Sequence, residues 1–236
     1  MNLILLFKED FLQSPSLARV DGRRFEYIRD VHRARPGDHL TVGLLNGNMG
    51  KGRVCGITDS AVELEVTLSD PPPPPLPVKI VLALPRPKVV KRVILSLTSL
   101  GVKEIHLIHA FRVEKSYWQS PVLAPKTLDY HLILGLEQAK DTLYPSITIG
   151  RYFKPFVEDR LPEIIKGTRP ILAHPQAEIP CPRHVDTPVT LIVGPEGGFI
   201  PYEIEKLQTL NMEPVHLGPR ILRVETALPA ILARLF

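Results

Sequence analysis

Val193-Gly194-Pro195-Glu196-Gly197-Gly198-Phe199 and Leu217-Gly218-Pro219-Arg220-Ile221-Leu222-Arg223-Val224-Glu225-Thr226-Ala227 decide how this chain is read. Each segment follows an apolar run with the length of a buried strand and leads into a stretch of helical periodicity, so both are strand-to-helix turns. Ligands of α/β proteins sit in the crevice beyond such strand ends. The first loop lacks both the Gly-x-Gly-x-x-Gly spacing of dinucleotide folds and the Gly-Lys-Ser/Thr ending of a phosphate loop, so neither standard nucleotide mechanism is indicated. Its glycines serve either a tight turn into a helix starting at Pro201 or the close approach of a ligand to the main chain. Glu196 either faces solvent or accepts a hydrogen bond from a ligand or RNA.

Outward from these turns, apolar runs at 79–84, 105–108, 147–149, 170–173, 189–193 and 215–217 read as strands. Helical periods at 89–100, 126–143, 156–166, 202–210 and 225–235 lie between and after them. Six strands alternating with helices predict an α/β domain with a mainly parallel sheet covered on both faces. Pro71 to Pro75, with Pro77 just after, supply no backbone donors and predict a stiff connector over 71–77. It separates an α/β domain at 78–236 from a small, mostly β domain at 1–70, with strands at 1–7, 40–44, 52–57 and 61–68. A short helix over 25–33 in that first domain would project Arg29 and Arg33 from one face.

At 236 residues the chain is long enough to bury roughly 70 to 75% of its unfolded surface without covalent staples. Cys55 and Cys181 are far apart and form no Cys-x-x-Cys pair, which argues against a disulfide framework or a zinc site and for a reduced, cytoplasmic setting. The eight histidines show no metal-ligand spacing with neighbouring acids, so no metal is expected. The apolar run at 1–7 is too short for a membrane span or signal core.

The net charge of +4 is mild, but its distribution is uneven. Between Arg19 and Arg53 eight Lys or Arg face four acids, and between Lys79 and Lys103 there are six basic residues and no acid. Such clusters attract a polyphosphate chain and release its counterions. Tyr117-Trp118 beside Lys115 either stacks on a base or pins a surface loop.

The paired glycine and arginine segments resemble the C-terminal signature of the bacterial 16S ribosomal RNA uridine-N3 methyltransferase family, whose members are trefoil-knotted (SPOUT) enzymes using S-adenosylmethionine (SAM). The resemblance implies a small PUA-like, RNA-binding β-barrel before a knotted α/β domain, a homodimer, and the small ribosomal subunit or its 16S RNA as partner. It places Leu172 and His174 of Ile171-Leu172-Ala173-His174-Pro175 beside the adenosine, Gly194, Glu196 and Gly197 in a second cofactor loop, and Leu217, Gly218, Ile221, Leu222 and Arg223 in a third. Arg29, Arg33, Lys88 and Arg92 fall on the expected RNA side. The chain departs from the family pattern at Asp30, Ser96, Ser99 and Lys140, which bears on the target nucleotide more than on the cofactor.

A uridine ring nitrogen must lose a weakly held proton to attack the electrophilic methyl of a sulfonium, so the site needs alignment and a group that stabilises the uracil anion. Arg223 is the first candidate for that charge or for an RNA phosphate. Glu225 either accepts or relays the proton or serves the helix macrodipole. Thr226 is either an N-cap or a substrate contact, and Pro229 falls in the expected first turn. His174 is read as lining the cofactor rather than as a base. Two rival readings stand beside this one: a noncatalytic RNA-binding or assembly factor on the same scaffold, and a methyltransferase for a different RNA nucleotide.

Overall fold

Leu3, Ile4, Leu5 and Leu6 are all buried, and the alternation of a strand sends them to opposite sides. Ile4 and Leu6 join Ala18, Val20, Phe25, Leu40, Val42, Val54, Val62 and Leu64 in one core. Leu3 and Leu5 instead meet Leu136, flanked by Phe7, Ile133 and Tyr144. The computed structural model describes all 236 residues and divides into two units, Met1–Pro74 with Leu132–Tyr144, and Pro75–His131 with Pro145–Phe236. One division between them falls between Pro74 and Pro75. A second segment of the first unit, 132–144, comes from a region that periodicity placed wholly in the α/β domain.

In the first unit, β1 (Ile4–Leu6), β2 (Leu17–Asp21), β3 (His39–Leu44), β4 (Met49–Ile57) and β5 (Ala61–Asp70) form one sheet in the order β1-β3-β4-β5-β2. Only β1 and β3 pair in parallel. Irregular registers between Met49 and Lys51 and between Val54 and Gly56 bend β4 against β5. Gly50 sits at the first of them because a β-carbon there would lie 1.9 Å from the Thr67 carbonyl oxygen.

The helix expected over 25–33 is in two parts: α1 (Gly22–Tyr27) and a π-helical turn over Ile28–His32, ended by Arg33 in the left-handed region at φ 52°. Arg29 and Arg33 therefore do not share a helical face. Arg29 lies flat against Asp30 at 2.6 Å, and both are exposed. Other arginines of this basic stretch are also engaged: Arg23 with Glu137, Arg24 with Asp10, and Arg53 with Glu65.

The second unit contains β6 (Val78–Ala83), β7 (Glu104–Ile108), β8 (Ser146–Gly150), β9 (Arg169–Ala173), β10 (Ile179–Pro180), β11 (Val189–Val193) and β12 (Glu213–His216). Every pairing is parallel, in the order β10-β12-β9-β11-β6-β7-β8. The six expected strands are present, and the short β10 adds an edge. All five residues of β11 are buried, as required of a central strand with both faces covered. The helices are α2 (Pro87–Ser99), α3 (Pro125–Ala139), which begins in this unit and ends in the first, α4 (Phe153–Pro155), α5 (Leu161–Ile164), α6 (Pro201–Gln208) and α7 (Val224–Leu235), with a π-helical turn between α4 and α5. No helix is long and apolar enough to cross a membrane.

One buried titratable group sits in this sheet. His106 of β7 is held between the Thr148 hydroxyl, 2.6 Å from Nδ1, and the Glu104 carboxylate, 2.8 Å from Nε2. Burial lowers its pKa and outweighs the upward pull of Glu104, while Arg160 and Lys79 push the same way as burial. Below the unfolded value of about 6.5 the unfolded chain therefore binds more protons, and stability contributed by neutral His106 is lost as pH falls. The melting temperature should drop between about pH 7.5 and about pH 5.5, with His106 supplying at most about 1.4 kcal/mol per pH unit. His106→Gln should flatten that slope in a thermal scan. An unchanged slope would assign the pH response to other groups.

Candidate ligand cleft

Three loops at the carboxyl ends of β9, β11 and β12 enclose a cleft with about 780 Å³ of empty space, counting its solvent-open mouth. The size suits a small-molecule site, and the position is where open parallel sheets place ligands. His174 and Pro175 come from the first loop, Gly194, Glu196 and Phe199 from the second, and Leu217, Gly218, Arg220, Ile221 and Leu222 from the third, with Val224, Ala227 and Ile231 of α7 behind them.

The third loop is built around its glycine. Gly218 adopts φ 114°, a region that side-chain-bearing residues rarely enter. Its amide donates to His216 Nδ1 at 2.9 Å, which fixes the turn directly after β12. Ile221 is then left 82% exposed and Leu222 36% exposed, so two apolar side chains stand at the cleft with water over them. Their amides donate to no other atom of the protein. Apolar walls with unused main-chain donors suit a flat ligand carrying polar atoms on its edge.

The second loop is held from outside. The Glu196 carboxylate accepts the Arg86 amide at 3.1 Å, at the N-cap of α2, and Arg112 donates to the Gly197 carbonyl. Glu203, 2% exposed, accepts the amides of Ile200 at 3.0 Å and Phe111 at 2.7 Å, tying the loop after β7 to the start of α6. In the first loop, His174 donates its amide to the Val215 carbonyl at 2.9 Å. Burial lowers the pKa of its imidazole, favouring the neutral ring.

Of the residues singled out from the sequence, His174, Gly194, Glu196, Leu217, Gly218, Ile221 and Leu222 line this cleft, while Leu172, Gly197, Arg223 and Glu225 do not. Leu172 is wholly buried in β9. A β-carbon on Gly197 would meet Arg112 Cδ at 3.0 Å and Cβ at 3.4 Å, so a side chain there crowds the stem of Arg112 rather than the cleft. Arg223 is the exposed N-cap of α7. Glu225 faces Arg92 at 3.8 Å, joining two residues the sequence reading gave to different tasks. Lys88 is exposed on the same helix as Arg92. Thr226 lies in the first turn of α7, its amide bonded to the Arg223 carbonyl, so it is not the cap. Pro229 lies beyond the first turn, inside the helix, and leaves the Glu225 carbonyl without its i+4 amide.

Trp118 is pinned rather than free, its indole donating to His109 Nδ1 at 2.9 Å. The sequence reading passed over Phe199, His216 and Arg220. Phe199 and Arg220 sit inside the quoted segments, and His216 ends the strand before Gly218, so adjacency to the glycines was the available signal. No three His, Cys, Asp or Glu side chains come together in a way that would hold a metal ion.

Comparison with known proteins agrees with this architecture. Over 232 residues the chain is 26% identical to the ribosomal RNA small subunit methyltransferase E of Treponema pallidum, covering 96% of this chain and 87% of the relative. A protein of the same name from Borreliella burgdorferi is 30% identical over 142 residues, 60% of this chain and 59% of the relative. The fold matches the crystal structure of a ribosomal RNA small subunit methyltransferase E from Neisseria gonorrhoeae bound to S-adenosyl methionine, with a TM-score of 0.76, 20% identity and coverage of 99% and 96%. It also matches a Legionella pneumophila methyltransferase structure in complex with SAM, with a TM-score of 0.72 and 22% identity over 99% and 96% of the two chains. A family model described as an RNA methyltransferase domain matches residues 72–236, and the chain belongs to that family.

Proposed function

We propose that this protein transfers a methyl group from SAM to N3 of a uridine in 16S ribosomal RNA. The observation that carries this reading is the cleft at the ends of β9, β11 and β12 in a chain of the RNA methyltransferase domain family. Its donor set fits SAM: Ile221 and Leu222 offer apolar surface to an adenine, their amides are available to its ring edge, and Arg220 is at hand for the carboxylate of the methionine moiety. When bound, SAM supplies an electrophilic methyl group.

The chain's own residues align the acceptor and manage charge. Arg223, exposed at the start of α7, is proposed to stabilise the anionic uracil or to hold its phosphate. Glu225, 3.8 Å from Arg92, is read as accepting or relaying the proton. His174, kept neutral, is assigned to lining the cofactor.

The first unit is read as a PUA-like module that guides RNA, with Arg33 and Lys88 as candidate phosphate contacts. The second is read as a trefoil-knotted SPOUT domain, by its resemblance to the uridine-N3 methyltransferase family. The protein is further proposed to work as a homodimer on the small ribosomal subunit in the cytoplasm.

Incubation with labelled SAM and small ribosomal subunits or their RNA, followed by mass spectrometry of the modified nucleotide, should give 3-methyluridine. Methylation of another atom would keep the methyltransferase assignment and overturn the N3 target. SAM binding without transfer to any RNA would overturn the enzymatic reading.

A further inference from the structure

The loops that follow β7 and β8 lie side by side, joined by a 2.9 Å hydrogen bond from the His109 amide to the Gly150 carbonyl. Each presents a large aromatic side chain to water: Phe111 is 74% exposed and Tyr152 is 73% exposed. Neither loop is slack. Glu203 holds the Phe111 amide, and Phe153, next to Tyr152, packs its ring 6.1 Å from that of Phe199, which lines the cleft. The ledge is therefore continuous with the cleft through Phe153 and Phe199.

Its charge is mainly basic. Arg112, Lys115, Arg151 and Lys154 are exposed in the segments 111–116 and 151–154 beside Glu114, and the exposed acids Glu158 and Asp159 follow one turn later. The aromatics stand singly among charged and polar neighbours, unlike the contiguous apolar patch of a protein-protein contact. Exposed rings interleaved with cations are the chemistry of single-stranded nucleic acid binding, in which bases stack and phosphates pair.

We propose that this ledge, with Phe111 and Tyr152 as stacking surfaces and Arg151 as a phosphate contact, binds the unpaired nucleotides that flank the base presented to the cleft. The inference rests on the methyltransferase reading for what enters the cleft, but RNA binding at the ledge is measurable without catalysis.

With the full-length protein, fluorescence anisotropy of a uridine-containing single-stranded oligoribonucleotide should show a loss of about 5- to 100-fold in affinity for the Phe111→Ala, Tyr152→Ala double variant. SAM affinity by calorimetry should be unchanged. Phe111→Trp with Tyr152→Phe should retain binding, whereas Phe111→Leu with Tyr152→Leu should not, which separates stacking from mere apolar cover. Arg151→Gln should lower the salt dependence of binding by about one phosphate contact.

Wild-type RNA affinity in the double alanine variant would overturn the ledge. So would a change in its oligomeric state by sedimentation, which would make the ledge a protein contact. Failure of the wild-type protein to bind SAM, with ledge-dependent RNA binding intact, would instead overturn the methyltransferase reading alone.

Discussion

Gly218→Val is expected to lower affinity for SAM by about 10- to 100-fold while leaving the sheet folded. At φ 114° a β-branched residue carries strain of about 1 to 3 kcal/mol. A β-carbon there meets no atom within 4 Å, so overlap with the rest of the protein is not the cause. The strain is relieved by rotating the turn, which breaks the Gly218 hydrogen bond to His216 and moves Ile221 and Leu222 away from the cleft they line. Calorimetric titration with SAM, paired with a thermal melt, reads both halves of the expectation. Unaltered affinity would remove the third loop from the cofactor site. Gly197→Val should act less directly, since its side chain meets the stem of Arg112, Cδ at 3.0 Å and Cβ at 3.4 Å, rather than the cleft.

Arg24→Ala should destabilise the first unit by about 3 to 5 kcal/mol, the cost of leaving a buried carboxylate without its counter-charge. Both partners are largely shielded, with side-chain exposures of 12% for Arg24 and 7% for Asp10. The guanidinium grips Asp10 with both terminal nitrogens, bonds the Leu5 carbonyl at 2.8 Å, and lies 4.8 Å from the centre of the Phe7 ring. Asp10 in turn accepts the Phe7 amide at 2.7 Å. Urea unfolding measures the loss. Replacing both partners, Arg24→Met with Asp10→Leu, should recover much of it, because no uncompensated charge then remains. A loss below about 1 kcal/mol for Arg24→Ala would mean that water screens the pair as it does at a surface.

Local chemistry made some elements legible from sequence alone. Val189–Val193 lies between Pro188 and Gly194 with five consecutive residues suited to a doubly covered strand, and its bounds agree with the structure. Strand β2 was invisible because only Ala18 and Val20 of its five residues are buried and because it follows a serine- and proline-bearing segment. The short helix near Arg29 looked regular, since nothing in its composition announces a π-helical turn. In the cleft, the two quoted segments gave two of the three loops, and the loop at His174 came from family resemblance. The clasp between Arg112 and Gly197 joins residues 85 positions apart, and the contact between Arg92 and Glu225 is likewise long-range. Periodicity carries no information about such pairs.

The allocation of Leu132–Tyr144 to the first unit has a consequence for how this gene can be divided. A product ending at the prolines would possess the whole five-stranded sheet yet lack Leu136, which covers Leu3 and Leu5, and Glu137, which accepts two hydrogen bonds from Arg23 at 2.9 and 2.8 Å. It would expose an apolar strip and remove the carboxylate that Arg23 grips. The order of synthesis therefore matters: the sheet made first stays unfinished until residues 132–144 have left the ribosome.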